Sequence, residues 1–392
     1  MALLRKLLLP FNIILFNVSR LIPFRNKELW IFGALEGKKY DDNSKYMFEY
    51  MIGNHQNFRC IWLTNSKSTH KALLDKGKEV YYNNSIKGKW YQMRCGVAFY
   101  THGLMDFGLF PLVAGAEIIA LWHGMGFKQI YNGKYNGIKL KAKKALDHLF
   151  SWTYRTISIA TSQYSIQWVK KMFTLNGEKI FITGQPRNDA FKNINRDIVL
   201  KRLGVNPQSK IIIFMPTYRH KSMGENAMEE IICNLYESTS LTYILNSLGY
   251  VFLVKLHPLT PPFELPYRDN FRLLNYYDIY DNQELLGACD MLVTDYSSCY
   301  VDYALMNRPI IFYVPDMNSF FEQSEKLEDD FLKIATLNSA YTPEELAKKI
   351  SQPSMDAVRE INNFFEDSSI KGTIFSENVF NVIVKELGIQ RT

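Results

Sequence analysis

Cysteine is scarce in this 392-residue chain. There are five, Cys60, Cys95, Cys233, Cys289 and Cys299, an odd number at wide spacing. No Cys-x-x-Cys pair occurs, so neither a disulfide framework nor a structural zinc site is supported. A reducing compartment fits best. Asp-x-Asp is absent as well. That argues against the carboxylate-held divalent ion of many nucleotide-dependent transferases, and no metal or other cofactor is expected. No Gly-x-x-x-x-Gly-Lys-Ser/Thr loop is present, which removes the support for a P-loop nucleotidase. Long basic tracts and zinc-finger spacings are missing, so no nucleic-acid partner is expected. Neither an internal repeat nor a low-complexity tract is found.

Acidic residues are the minority charge, 39 against 46 Lys and Arg, which leaves +7. Such a mild excess suits an anionic partner such as phosphate or phospholipid. Hydrophobic residues make up 47% of the chain, with 24 Tyr and 26 Phe. This is a folded globular composition, and the length exceeds one ordinary core, so two domains are expected.

The first residues read MALLRKLLLPFNIILFNVSRLIPF. No small-residue cleavage site follows the apolar stretch, so it does not read as a signal peptide. Pro10, Asn12, Asn17 and Arg20 interrupt it short of the roughly 20 apolar residues that a spanning helix needs. With Arg5, Lys6, Arg20 and Arg25 around it, residues 1–25 read as one or two short amphipathic helices on an anionic membrane surface. A helix packed on the first domain is the alternative.

Further along, short apolar runs alternate with helical stretches. Strands are predicted at 29–33, 60–63, 97–101, 118–122, 157–160 and 180–183, then at 210–215, 251–256, 271–274, 291–294 and 310–313. Helices are predicted at 44–52, 86–94, 139–149 and 164–173, then at 228–248, 282–289 and 298–306. The order is that of parallel sheets with helices on both faces, built twice, with a cleft between the two. The domains are expected at 26–195 and 196–392, the last helices packing back on the first.

In open sheets of this kind, ligands bind beyond the carboxyl ends of the strands. Five predicted strand exits carry polar or basic groups: His123-Gly124 with Lys128, Arg187, Pro216-Thr217-Tyr218-Arg219, Lys255 with His257, and Thr294 to Ser298. Cations, hydroxyls and backbone donors together make a phosphate site. His123, before two glycines, reads as a general base or as a turn cap. His257 precedes Pro258 and could donate to a phosphoryl oxygen, protonate a leaving group, or only finish a strand. Arg187 and Arg219 could clamp phosphate with paired N–H groups or sit in ion pairs. Ser297 and Ser298 open a helix, where hydroxyls can cap or bind a ligand. Asp302 could hold a ribose or glycerol hydroxyl or face a cation. His55, His70, His102, His148 and His220 read as structural, His102 least firmly.

These pieces resemble the CDP-glycerol glycerophosphotransferase family, the teichoic acid primases and polymerases. The matching residues are Trp122-His-Gly with Lys128, Gly184-x-Pro-Arg-Asn-Asp189, Pro216-Thr-Tyr-Arg219, Leu256-His-Pro258, and Thr294-Asp-Tyr-Ser-Ser298 with Asp302 and Arg308-Pro309. The stretch from Gly37 to Tyr46 also matches. The resemblance implies a GT-B-like α/β fold, two Rossmann-like domains facing a central cleft, on the cytoplasmic face of the membrane. It implies transfer of glycerol phosphate from CDP-glycerol to a lipid-linked saccharide or polyol-phosphate acceptor, with release of CMP. By position, His123 would be the catalytic base and His257 a second essential group. Gly124, Lys128, Arg187, Pro216, Thr217, Arg219, Lys255, Thr294, Ser297, Ser298 and Asp302 would line the substrate site. Met125-Gly126 stands where the family often has Thr-Pro, which leaves CDP-ribitol open as donor. A nucleotide-sugar glycosyltransferase and a nucleotide-sensing scaffold without activity are the rival readings.

Overall fold

The computed structural model describes residues 7–126, 137–139, 142, 154–172, 179–224, 226–274, 281–323 and 329–389. The chain divides into two compact units. The first comprises Met1–His123, Tyr131–Asp189 and Asp367–Thr392, and the second Gly124–Ile130 and Ala190–Glu366.

The first unit holds a seven-stranded sheet in the order β3-β2-β1-β4-β5-β6-β7. Its strands are β1 (Asn26–Phe32), β2 (Arg59–Thr64), β3 (Val80–Tyr82), β4 (Cys95–Tyr100), β5 (Glu117–Ala120), β6 (Ile157–Ala160) and β7 (Lys179–Ile182). Every pairing is parallel. Central strands covered on both faces must be apolar throughout. Accordingly, all six residues of β4 are buried. Phe32 and Phe99 stack across β1 and β4 at 4.6 Å. The strand order reverses direction at β1 and β4, so loops leaving their carboxyl ends diverge and open a crevice there.

Helices cover the sheet of this unit. Helix α1 (Leu9–Val18) lies near the amino end, and α2 (Asp42–Asn54) follows β1. Helix α1 buries Asn12 and Phe16, while Leu7, Phe11, Ile14, Val18, Leu21 and Phe24 are exposed. No helix among the described residues is long and apolar enough to cross a membrane.

The second unit holds a six-stranded parallel sheet in the order β10-β9-β8-β11-β12-β13. These are β8 (Lys210–Met215), β9 (Tyr250–Val254), β10 (Phe271–Leu273), β11 (Met291–Thr294), β12 (Ile310–Tyr313) and β13 (Ser339–Ala340). Its switch point lies between β8 and β11. Ile212, Phe214, Phe252, Val254, Val293 and Ile311 form the core under one face. The predicted 228–248 helix is two: α3 (Ala227–Glu237) and α4 (Thr239–Leu248). Ser238 breaks it, its extended backbone allowing the side chain to accept the Leu241 N–H at 3.2 Å. A serine in that role is an ordinary N-cap. Helix α5 (Cys299–Ala304) follows β11 and has six residues.

The closing helix α6 (Phe375–Leu387) belongs to the first unit. Asp189 anchors its start by accepting the Phe375 and Ser376 N–H groups at 2.7 and 2.8 Å. Gly184 must be glycine: its φ is +75°, and a β-carbon would lie 2.3 Å from the Phe375 ring. Part of the Gly184–Asp189 motif therefore serves to dock the carboxyl-terminal helix. All five cysteines are free thiols.

Candidate active site

In the first unit, three strand exits are tied together at the switch point. Asp106 joins the turn after β1 to the turn after β4. It is fully buried, and its carboxylate accepts the N–H groups of Glu36 at 2.6 Å, Thr101 at 2.8 Å and His102 at 3.1 Å. Burial pushes this carboxyl up to about 6, with those N–H groups pulling the other way. Gly33 permits the approach, because a β-carbon there would lie 2.8 Å from the Asp106 carbonyl oxygen.

The turn after β5 presents His123, and it is strained. Trp122 has φ of 58°, and the facing Asp42 has φ of 63°. Leu35 and Glu36, after β1, are also left-handed, at 51° and 57°. Non-glycine residues rarely adopt this conformation, and each costs about 1–3 kcal/mol that surrounding contacts must offset. Asn43 supplies much of that restraint. It is fully buried, and its Nδ2 donates to the carbonyls of Leu121 and Trp122, both at 2.9 Å. Its Oδ1 accepts the Arg187 N–H at 3.0 Å. Arg187 is 9% exposed, and its Nη1 donates to Asp42 Oδ1 at 2.9 Å and to the His123 carbonyl at 2.8 Å. Its guanidinium thus braces the His123 turn, a role distinct from the expected phosphate clamp.

His123 itself is exposed, and its Nδ1 lies 3.1 Å from the Thr101 carbonyl oxygen. A carbonyl only accepts, so Nδ1 carries the proton and Nε2 keeps the lone pair. That is the tautomer a general base needs. The ring lies parallel to His102, with centroids 4.0 Å apart and planes 13° from each other. His102 Nδ1 is 2.8 Å from Thr101 Oγ1. Burial, then the neighbouring His123, pushes the His102 pKa down to about 2, so His102 is neutral at ordinary pH.

In the second unit, the loops after β8 and β11 are joined by a buried ion network. Asp295 accepts the Thr217 N–H with both oxygens, at 2.8 and 3.0 Å, and Arg219 Nη1 at 2.7 Å. Arg219 also donates from Nε and Nη2 to Asp316 at 2.6 and 3.1 Å. Its guanidinium lies beside the stacked rings of Tyr296 and Phe320, 5.1 and 5.2 Å from their centroids. Only 2% of the side chain is exposed. Burial alone would lower the pKa of this group, but Asp295 and Asp316 reverse that and raise it. Two carboxylates thus neutralise Arg219 away from solvent, and it ties the two loops together. The buried hydroxyl of Thr294 donates to the Met215 carbonyl at 2.9 Å and fastens β11 to β8.

Other groups of this unit remain suited to a ligand. Thr217 Oγ1 is buried without a hydrogen-bond partner. Ser297 and Ser298 are half-buried, and Ser298 makes no side-chain cap to α5. Gly126 packs against this turn, where a β-carbon would lie 3.2 Å from Ser298 Cβ. Gly124 has φ of 156°. His257 is exposed, and its Nδ1 accepts the Leu259 N–H at 3.2 Å. The proton is then on Nε2, which makes His257 a donor, the opposite tautomer to His123. Pro216, Lys255 and Asp302 are buried, Lys255 at 7% and Asp302 at 3% exposure. Lys128 lies outside the described residues.

Sequence reasoning gave no role to Asp106 or Asn43 and took His102 as structural. One signal was present: the neighbouring strands β4 and β5 both run out into His-Gly, His102-Gly103 and His123-Gly124.

A family model described as "CDP-Glycerol:Poly(glycerophosphate) glycerophosphotransferase" matches residues 14–371. A teichoic acid poly(glycerol phosphate) polymerase of Bacillus spizizenii is 28% identical over 387 residues, covering 93% of this chain and 91% of the relative. A teichoic acid poly(glycerol phosphate) polymerase of Bacillus subtilis is 25% identical, covering 95% of this chain and 50% of the longer relative. A teichoic acid glycerol-phosphate transferase of Staphylococcus aureus is 25% identical, covering 79% of each chain. Among solved structures, the wall teichoic acid polymerase TagF aligns with a TM-score of 0.73 at 21% identity, over 99% of this chain and 97% of that one. A Staphylococcus aureus MnaA–UDP complex shares the fold more distantly, with a TM-score of 0.54 at 13% identity. With most of its length matched by one family model, the chain belongs to the CDP-glycerol:poly(glycerophosphate) glycerophosphotransferase family.

Proposed function

We propose that this glycerophosphotransferase moves glycerol phosphate from CDP-glycerol to a hydroxyl of a lipid-linked or polymer acceptor in cell-surface polymer synthesis. The observation that carries this reading is the fixed tautomer of His123. Its Nδ1–H is held by the Thr101 carbonyl, and the ring is exposed with Nε2 as acceptor. The acceptor hydroxyl attacks the β-phosphorus, its proton passes to Nε2, and the bond from that phosphorus to the CMP oxygen breaks. In the second unit, Thr217 Oγ1, the Ser297-Ser298 turn and the Nε2–H of His257 suit the phosphoryl and ribose oxygens of a nucleotide donor. Charge developing on those oxygens is best met by donors already in place.

We further assign the amino-terminal segment to an anionic membrane surface on the cytoplasmic side. Leu7, Phe11, Ile14, Val18 and Leu21 are exposed at successive spacings of four and three, one stripe of a helix. Arg20 is exposed beside it, with its guanidinium 5.0 Å from the Tyr154 ring centroid. An apolar stripe flanked by positive charge suits anionic lipid. A lipid-linked acceptor would be met at that surface.

The test is a donor panel. CDP-glycerol, CDP-ribitol and a UDP-sugar are incubated with a lipid-linked acceptor, and the released nucleotide is identified by mass spectrometry. CMP from CDP-glycerol, matched by glycerol phosphate on the acceptor, is expected. CMP from CDP-ribitol alone would change the donor, and UDP release would replace the reading with glycosyl transfer.

A further inference from the structure

We propose that His102 is a positioning residue for His123, acting by ring stacking while itself remaining outside the chemistry. This rests on the reading of His123 as the base.

The argument starts from how little else holds the His123 ring. The side chain is exposed, and its one hydrogen bond among the described residues runs from Nδ1 to the Thr101 carbonyl at 3.1 Å. A single hydrogen bond fixes one point and leaves the ring free to turn about it. The second constraint is the parallel face of His102, 4.0 Å away. One contact at the Nδ1 edge and one on the face together define the ring plane, and so the direction of the Nε2 lone pair.

His102 is built to be such a fixed face. Its backbone N–H is held by buried Asp106, and its Nδ1 by Thr101 Oγ1. Thr101 in turn gives the carbonyl that fixes the His123 tautomer, and its N–H goes to Asp106. One buried carboxylate thus locates both the stacking ring and the accepting carbonyl. The titratable groups facing His102 are His123, Glu36, Arg187 and Lys38. Burial keeps His102 uncharged, so it can lie against His123 without a second positive charge opposing proton uptake.

The alternative, that His102 only fills space, predicts differently. His102→Phe keeps a flat face and removes the Nδ1 bond, and His102→Ala removes both. With positioning, kcat of His102→Ala falls about ten- to hundredfold, the scale of a small misplacement at the reacting centre. KM for CDP-glycerol stays within about twofold, and His102→Phe recovers most of the loss. An independent readout uses histidine labelled with nitrogen-15. His123 shows a single tautomer protonated at Nδ1 in the parent protein and in His102→Phe, and a tautomer mixture in His102→Ala. Unchanged kcat in His102→Ala, equal losses in both variants, or an unaltered His123 tautomer would each overturn the proposal. Should the parent protein release no CMP, the functional reading fails, and the labelled spectra still decide whether His102 orders the His123 ring.

Discussion

At the scale of single residues, the site works through backbone groups that decide where imidazole protons sit. His123 faces a carbonyl and His257 faces an N–H, so one is left an acceptor and the other a donor. Neither assignment was legible in the sequence. His123 stood out there because two glycines follow it, and His257 because a proline does, but the partner atoms come from residues 22 positions upstream and two downstream. The same holds for Asn43. Its amide bonds carbonyls 78 and 79 residues away. No local pattern announces such a tie. Its prediction is direct: Asn43→Ala leaves two carbonyls and one N–H without their partner and releases the strained Trp122 turn. Loss of about 3 kcal/mol in denaturant unfolding is expected, together with a kcat lower by more than the KM change. A variant as stable and as active as the parent would remove Asn43 from this role.

Elements carry the next level of the account. The two switch-point knots differ in kind. Asp106 is a lone buried carboxylate satisfied by backbone, whereas Arg219 is a buried cation between Asp295 and Asp316. Removing one partner of a buried pair costs about 3–5 kcal/mol, because the other charge is left unpaired. Arg219→Met should therefore destabilise the protein on that scale, and thermal unfolding at neutral pH measures it. A loss below about 1 kcal/mol would mean that the network contributes little.

The first knot predicts a pH effect with a definite sign. His102 has a folded value near 2 against an ordinary 6.5, so below pH 6.5 the unfolded chain binds a proton that the folded chain does not. Its contribution is present above 6.5 and is lost as pH falls. Asp106 has a folded value near 6 against 3.8, so between those values the folded chain holds the extra proton, and stability from this group rises as pH falls. The two oppose each other in that window. His102→Phe removes only the first. Relative to the parent, the variant should gain up to about 2 kcal/mol between pH 7 and pH 5. A pH-independent difference between the two proteins would contradict a neutral buried His102.

At the scale of the whole molecule, the two sheets were the most legible feature. Buried parallel strands need continuous apolar runs, and eleven of the thirteen strands among the described residues were legible as such runs. The two that were not read, β3 and β13, have three and two residues and sit at sheet edges, too short to make a run. The 139–149 helix lies almost wholly outside the described residues. The amino-terminal helix departs from an amphipathic pattern in an instructive way: Asn12 is on its buried side, and Phe11, Ile14 and Val18 are on the exposed one. Phe11→Ser, Ile14→Ser and Val18→Ser combined should abolish sedimentation with phosphatidylglycerol vesicles while leaving transfer to a soluble acceptor analogue intact. Retained vesicle binding would move the membrane contact elsewhere.

The account rests most heavily on His123 as the group that takes the acceptor proton. The most direct measurement is the rate of CMP release from CDP-glycerol in the presence of acceptor, for the parent and for His123→Ala, with donor affinity measured separately by calorimetry. The predicted result is a rate lower by about 10²–10⁴, the range of a lost general base, with CDP-glycerol affinity changed by less than about threefold. An undiminished rate, or a loss explained wholly by weaker donor binding, would contradict it.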